Sequence, residues 1–369
     1  MSGARPHLYS TTEPGDFAGP LLSEGPRRRW QNRDILAIGT SADGVEALMF
    51  LAKNLPSDFP ASVLLTIHLP SHSRSALDDI LSNRGTLPAQ FAQHGDNLLK
   101  SRIYIAPPDR HLLVEGERLS LGEGPRENNS RPAIDPKLRS AAACCAGRAV
   151  GVVLTGTLGD GASALWTIRQ AGGLTVVQDP KDAAFVEMPL TALNRAKPDR
   201  IVRLKDMPAL LTSLAHEPAG QTKPLPRSIQ YEVEIARTGR IAMNEMDAFG
   251  RRSVLACPDC GGVTWKIDEG DFSRFRCHVG HTYTDELMSL ALDENLRAIR
   301  RRQAAIASLP RTGRQSSRNS NVKWTSSAVR SAAWTALPHK RTWRGRARRS
   351  SAFLKAMRDS GDALQTVTH

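Results

Sequence analysis

Six short runs of apolar, mostly aliphatic residues recur between residues 35 and 204, with segments of helical character interspersed among them. The runs are ILAIG (35–39), SVLLTIH (62–68), RIYIAP (102–107), AVGVVLTG (149–156), GLTVVQ (173–178) and RIVRL (200–204). Most do not alternate polar with apolar residues, so they read as strands covered on both faces. Segments near 44–55, 74–83, 136–147, 161–171 and 188–195 read as helices, and HLLVEGERLSL (111–121) as a hairpin. Covered strands alternating with helices define an α/β protein with a doubly wound, mostly parallel sheet. Hydrophobic residues are 40% of the chain and aromatic ones only 5%, so the core is expected to be aliphatic.

The same reading divides the chain. Residues 1–31 lack periodicity and are expected to be a disordered leader. The α/β domain covers 32–215. A Pro- and Gly-rich stretch containing EPAGQTKPLPR is read as a linker over 216–230. A cysteine-bearing module over 231–283 opens with the alternating piece YEVEIA (231–236). An amphipathic helix over 284–309 and a basic, disordered tail over 310–369 complete the chain.

The formal charge of +13 is unevenly placed. From Arg297 onward there are 17 Lys and Arg against 2 Asp and Glu, which leaves 33 against 35 in the rest of the chain. The basicity therefore belongs to the tail. It can attract nucleic acid without sequence selectivity, and specific nucleic-acid binding is not expected. The five cysteines are Cys144, Cys145, Cys257, Cys260 and Cys277. An odd number, with two adjacent in a predicted helix, does not make a secreted disulfide framework. Cys144 and Cys145 are read as core residues of that helix. No signal peptide and no run near the ~20 apolar residues of a membrane span is seen. The expected compartment is the cytoplasm, with no membrane insertion.

Ligand sites in open α/β sheets lie beyond the carboxyl ends of the strands. Three reactive side chains stand there: Ser41 in GTSADG, His68 ending SVLLTIH, and Asp160 in TGTLGDGA. They supply a nucleophile, a base to take its proton and a carboxylate to orient the base. Each also has a plainer reading: Ser41 as a helix cap or phosphate-loop residue, His68 as a strand-end histidine, Asp160 as the cap of the following helix. Their shared position favours the catalytic reading. His72, His94 and His111 lack that position and read as loop or surface residues.

GTSADG, TIHLP, IYIAPPDRHLLV, RPAIDP, VGVVLTGTLGDGA, AGGLTVVQDP and a later MP together resemble the catalytic domain of CheB-type protein-glutamate methylesterases. The resemblance covers roughly 33–215. It implies the doubly wound fold, hydrolysis of glutamate γ-methyl esters on chemoreceptor-like proteins with release of methanol, and deamidation of receptor glutamines, in a chemosensory pathway. It implies no cofactor for catalysis. The family's serine, histidine and aspartate fall on Ser41, His68 and Asp160, and its oxyanion and turn support on Thr157 and Ala42. The family motif G-x-S-T-G-G departs here, with Ala42 for the Thr and Asp43 for the first Gly of the pair, and Thr157 stands where Met is common. The 31 residues before the domain are too few for a receiver domain, so control by a partner or constitutive activity is expected. A weakly catalytic scaffold or protein-interaction module in signalling is the alternative, and nucleic-acid binding through the cysteine-bearing module and basic tail is a second.

Cys257-x2-Cys260 is followed, sixteen residues on, by Cys277-x3-His281. Two such pairs suit a tetrahedral zinc ion, expected here as a structural Zn2+. VTWKI and RFRC read as strands of a zinc-ribbon-like module that could hardly fold without a metal. His278 rivals His281, although ligation by the adjacent Cys277 and His278 would be strained. A redox CxxC is the other alternative. The arrangement CPxCGG…RFRCxxGH is similar to that of some stand-alone CheB-like proteins.

Overall fold

A computed structural model describes residues 32–41, 44–69, 75–239, 246–247, 249–270 and 272–308. The expected leader and basic tail lie outside the described residues. The chain divides into two units, Met1–Arg297 and Ala298–His369, and apart from the end of the last helix everything discussed below lies in the first.

The strands are β1 Ile35–Thr40, β2 Ser62–Ile67, β3 Ala89–Phe91, β4 Arg102–Ile105, β5 His111–Glu115, β6 Arg118–Gly122, β7 Ala149–Val153, β8 Leu174–Gln178 and β9 Arg200–Val202. Between them run α1 Gly44–Asn54, α2 Leu77–Arg84, α3 Ile134–Cys145, α4 Ala162–Gln170 and α5 Glu187–Ala196, and α6 Met207–His216 follows β9. One seven-stranded sheet has the order β3-β4-β2-β1-β7-β8-β9, and every neighbouring pair is parallel. β5 and β6 form a separate hairpin. Alternate residues of β1 feed two cores. Leu36 and Ile38 pack with α1, α2 and α6, whereas Ile35 and Ala37 pack with α3, α4 and α5. Burial on both faces is why these strands read as continuous apolar runs. The short strand β3, half-buried at the sheet edge, has no counterpart in that reading.

Four readings need correction. The stretch read as a linker is a strap hydrogen-bonded to the base of the sheet: Gly220 N–H donates to Gly147 O at 2.9 Å and Lys223 N–H to Ala171 O at 3.0 Å. Beyond it, α7 spans Arg227–Thr238, so YEVEIA is helical and not an extended opening of the module. Its buried residues, Ile229, Glu232, Ile235 and Ala236, recur at helical spacing. The misleading member is Glu232, a charged residue buried for an electrostatic reason that no apolar pattern reports. Finally, His111 is fully buried, while Cys144 is exposed and only Cys145 is in the core. His94 is exposed, and His72 lies outside the described residues.

The module is a four-stranded antiparallel sheet of β10 Arg251–Ala256, β11 Val263–Glu269, β12 Phe272–Cys277 and β13 Thr282–Thr284, followed by α8 Asp285–Ser308. A buried ion cluster ties it to the α/β domain. Glu127 pairs with Arg139 at 3.1 Å and with Arg276 at 2.8 Å. Glu232 pairs with Arg139 at 2.9 Å, with Arg276 at 3.2 Å and with Arg274. Arg274 also reaches Glu269 at 2.6 Å, and Glu269 accepts from Ser163 Oγ at 2.7 Å. Among the described residues, no helix is long and apolar enough to cross a membrane.

Burial pushes the Glu127 and Glu232 carboxyls up, but the surrounding arginines more than offset it and hold both below the usual carboxylate range. Removing one partner of a buried pair strands the others, at about 3–5 kcal/mol. Glu232→Gln is therefore expected to lose about that much stability at pH 7 in urea unfolding. A depressed folded pKa contributes stability above the unfolded value of 4.5. The deficit of the variant should thus shrink as pH falls below that value and the wild-type glutamate takes up a proton.

Candidate active site and metal centre

From β1 the chain passes to β2, out to β3 at the edge and back inward to β4, then crosses to the other side of β1 at β7. The loops leaving β1 and β7 part in opposite directions, which opens a crevice at their carboxyl ends. Ser41 directly follows β1. Its N–H donates to Thr155 O at 3.1 Å, and Thr40 Oγ1 donates to the same carbonyl at 2.8 Å, joining the two strand ends. Gly156 lies against Ser41. A Cβ there would come within 2.8 Å of Ser41 Cβ and would overlap the Met188 sulfur, so no larger residue fits beside the hydroxyl.

His68, one residue past β2, faces Ser41 with one ring nitrogen and Asp160 with the other. Nδ1 is 3.1 Å from Ser41 Oγ, and Nε2 is 2.8 Å from Asp160 Oδ2. An ionised carboxylate can only accept, so Nε2 carries the proton and Nδ1 turns a lone pair toward the serine hydroxyl, which donates to it. Ser41 Oγ thus points to the imidazole.

Asp160 is 1% exposed and accepts four hydrogen bonds. Oδ2 takes His68 Nε2 and Ile134 N–H at 2.7 Å, while Oδ1 takes Asn128 Nδ2 at 2.9 Å and Asp135 N–H at 3.1 Å. Burial raises its pKa, but the bonds from His68, Ile134 and Asn128 outweigh this and hold it below the ordinary aspartate range. Asp160 therefore caps the N-terminus of α3, where unpaired N–H groups and the helix dipole favour a negative charge. The cap of α4 falls instead to Asp135, whose Oδ1 accepts Ala164 N–H at 2.9 Å. Burial and then the Asp160 charge push Asp135 up to about 7.

The sequence reading missed the residues behind this constellation. Asn128 donates through one amide nitrogen to both Asp160 and Asp135, each at 2.9 Å. It sits in RENNS, a polar stretch that reads as a turn, and its φ of +50° agrees with a turn. Nothing in its spacing marks it. Lys137, also fully buried, donates to the strand carbonyls of Ile38 and Leu64 and is held well below the usual lysine range by burial. Thr157 lies in the β7–α4 turn, and its N–H has no acceptor among the described residues. Ala42 and Asp43 lie outside the described residues.

Cys257, Cys260, Cys277 and His281 form a second cluster, with one ligand atom from each lying within 4.8 Å of the others. A tetrahedral ion with metal–sulfur distances of ~2.3 Å and metal–nitrogen distances of ~2.0–2.1 Å needs donors roughly 3.5–3.8 Å apart. Cys260 Sγ to Cys277 Sγ is 3.7 Å, Cys257 Sγ to His281 Nδ1 is 3.7 Å and Cys277 Sγ to His281 Nδ1 is 3.4 Å. The residues thus fit a metal ion. His278 stands outside the cluster, its ring against Gly262.

A hydroxyl, an imidazole and a carboxylate in line at the switch point of a parallel sheet define the class, an α/β protein with a serine-hydrolase type of site. The chain belongs to the CheB methylesterase family. The family model described as CheB methylesterase matches residues 36–211. A Geobacter metallireducens protein named protein-glutamate methylesterase/protein-glutamine glutaminase 1 is 32% identical over 210 residues, 56% of this chain and 58% of that one. A Koribacter versatilis protein with the same name, numbered 2, is 34% identical over 181 residues, 48% of this chain and 50% of its own. A Leptospira interrogans relative, provisionally given the same two activities in its name, is 32% identical over 184 residues, covering 50% of this chain and 95% of the relative. The chain spans only about half the length of the first two. A crystal structure titled as the Thermotoga maritima CheB methylesterase catalytic domain is 28% identical, covers 49% of this chain and 98% of that one, and has a TM-score of 0.47.

The full chain is expected to bind about one transition-metal ion at the Cys3His cluster, measurable by elemental analysis after dialysis. The double variant Cys257→Ser/Cys260→Ser should lose it, because two hard hydroxyls do not replace thiolates for a soft ion.

Proposed function

We propose that this chain is a serine esterase that hydrolyses glutamate γ-methyl esters on a chemoreceptor-like protein, releasing methanol, and that it deamidates glutamines at equivalent positions. What carries this reading is the unbroken line of contacts from Ser41 Oγ through His68 to Asp160, at 3.1 and 2.8 Å. The names of the relatives agree with it.

Ser41 Oγ attacks the ester carbonyl as His68 Nδ1 takes the hydroxyl proton. Asp160 holds the Nε2–H tautomer and stabilises the imidazolium that forms. The Thr157 N–H, together with Ala42, is the proposed support for the oxyanion. Collapse of the tetrahedral species breaks the bond to the methoxy group. That group leaves as methanol with the proton from His68, and an acyl ester remains on Ser41. Water then attacks the acyl carbon, His68 again accepts the proton, and glutamate and free Ser41 are restored. For glutamine the leaving group is ammonia.

The domain division proposed with this reading keeps 32–215 as the hydrolase and the cysteine-bearing segment as an appended module. The metal proposed for the Cys3His cluster is zinc, which suits three thiolates and an imidazole. Four protein ligands leave no open position, so it supplies structure and not catalysis. The proposed setting is the cytoplasm, among chemosensory signalling partners.

Ser41→Ala is expected to lower methanol release from methylated receptor by at least about 10³-fold while leaving the fold intact by circular dichroism. A serine-directed phosphonate should label Ser41 in the wild-type chain. A folded wild-type chain that neither labels nor releases methanol would be the scaffold alternative.

A further inference from the structure

The module touches the reactive site at two independent places. The first is Asn128, whose own N–H donates to Thr282 O at 2.9 Å, with Glu127 bridged to the same residue. Thr282 opens β13 and directly follows the ligand His281, and its Oγ1 donates to Gly280 O at 3.2 Å. The same Asn128 extends its amide to Asp160 and Asp135. The second place is Leu158, in the β7–α4 turn beside Thr157. It packs against the apolar cluster built from Cys257, Cys277, Tyr283, Leu287 and Met288. Leu158 holds a φ of +68°, costly for a leucine, and its N–H is fixed by Glu187 Oε2 at 2.9 Å.

Each ligand hairpin is short. Gly261 N–H returns to Cys257 O at 2.8 Å, and Gly280 N–H returns to Cys277 O at 2.8 Å. A sheet of four short strands with clustered thiols has little apolar core of its own, so an ion at the cluster is what would set its geometry. A fixed β13 fixes the Asn128 backbone, and the Asn128 amide then helps to hold the Asp160 carboxylate that also accepts from His68 and the α3 N-terminus.

We propose that Asn128 is a positioning residue for Asp160 and that the Cys3His module is the clamp that holds it, so that loading the metal site aligns the hydroxyl–imidazole–carboxylate line through bonded contacts alone. The proposal rests on the esterase reading for its consequence in activity, but not for the clamp itself. The amide also separates two buried carboxylates. Around Asp160 stand His68, His111, Asp135 and Lys137, with Glu127 and Arg139 behind Asp135. Losing the Asn128 donor removes one of the bonds that keep Asp160 ionised.

The test uses the full chain and two readouts. Asn128→Gly keeps the left-handed turn and the backbone bond to Thr282 while deleting the amide. It should retain bound metal yet label at Ser41 with phosphonate on the order of 100-fold more slowly, and the acidic limb of its labelling-pH profile should move to higher pH. A purely structural role would lower stability without moving that limb. Removing the metal from the wild-type chain with a chelator should raise amide hydrogen exchange at 127–130 at least about tenfold, with labelling falling in parallel, and zinc should restore both. Unchanged exchange after metal removal, or wild-type labelling with an unmoved profile in Asn128→Gly, would overturn the proposal. If wild-type Ser41 never labels, the esterase reading falls and exchange alone decides the clamp.

Discussion

A buried carboxylate sets the terms for the rest of this molecule. Asp160 carries charge at 1% exposure, where an uncompensated ion would take up a proton instead. Four donors prevent that, and they come from three parts of the fold. His68 arrives just past β2, two backbone N–H groups arrive at the start of α3, and the Asn128 amide arrives on the loop before it. The loops at this edge of the sheet are thus organised around a desolvated charge. Asp135, its neighbour, shows the alternative outcome. It keeps fewer donors, lies beside a like charge and is pushed up to about 7.

The cement between the α/β domain and the module is of the same kind. Glu127, Glu232, Glu269, Arg139, Arg274 and Arg276 are all buried, and they come from both parts of the chain. Such clusters gain little net stability over apolar packing, because desolvation takes back much of the attraction. What they add is discrimination. A slipped module would strand a guanidinium or a carboxylate in a dry interface, whereas an apolar face tolerates small shifts. An interface that must place Thr282 within a hydrogen bond of Asn128 is better served by such partners than by a smooth hydrophobic contact.

The sequence announces what repeats and what ends a repeat. Strands covered on both faces appear as ILAIG or AVGVVL, and reactive residues just beyond them stand out because a polar side chain closes an apolar run. That is why the positions of Ser41, His68 and Asp160 at the strand ends were legible. Residues that act by holding others were not. Asn128 hides in a polar stretch that any turn could supply, and Glu232 breaks the helical apolar pattern of α7 at a buried position. The strap over 217–226 reads as a linker because its bonds are made by backbone, which composition does not report.

The two classes of residue meet at β13. Cys277 and His281 are placed by a local hairpin, and their spacing alone brings them together. Thr282, one residue on, spends its carbonyl on a loop 154 positions earlier in the chain. A metal-binding hairpin built only for stability would have no need to send its next residue to a turn that orients a catalytic-type carboxylate. Nor would it need to pack the apolar cluster that contains its ligands Cys257 and Cys277 against Leu158, in the turn that carries the Thr157 N–H. Two contacts from one small sheet, one at Asn128 and one at Leu158, give the module a mechanical relation to the site that its composition alone would not suggest.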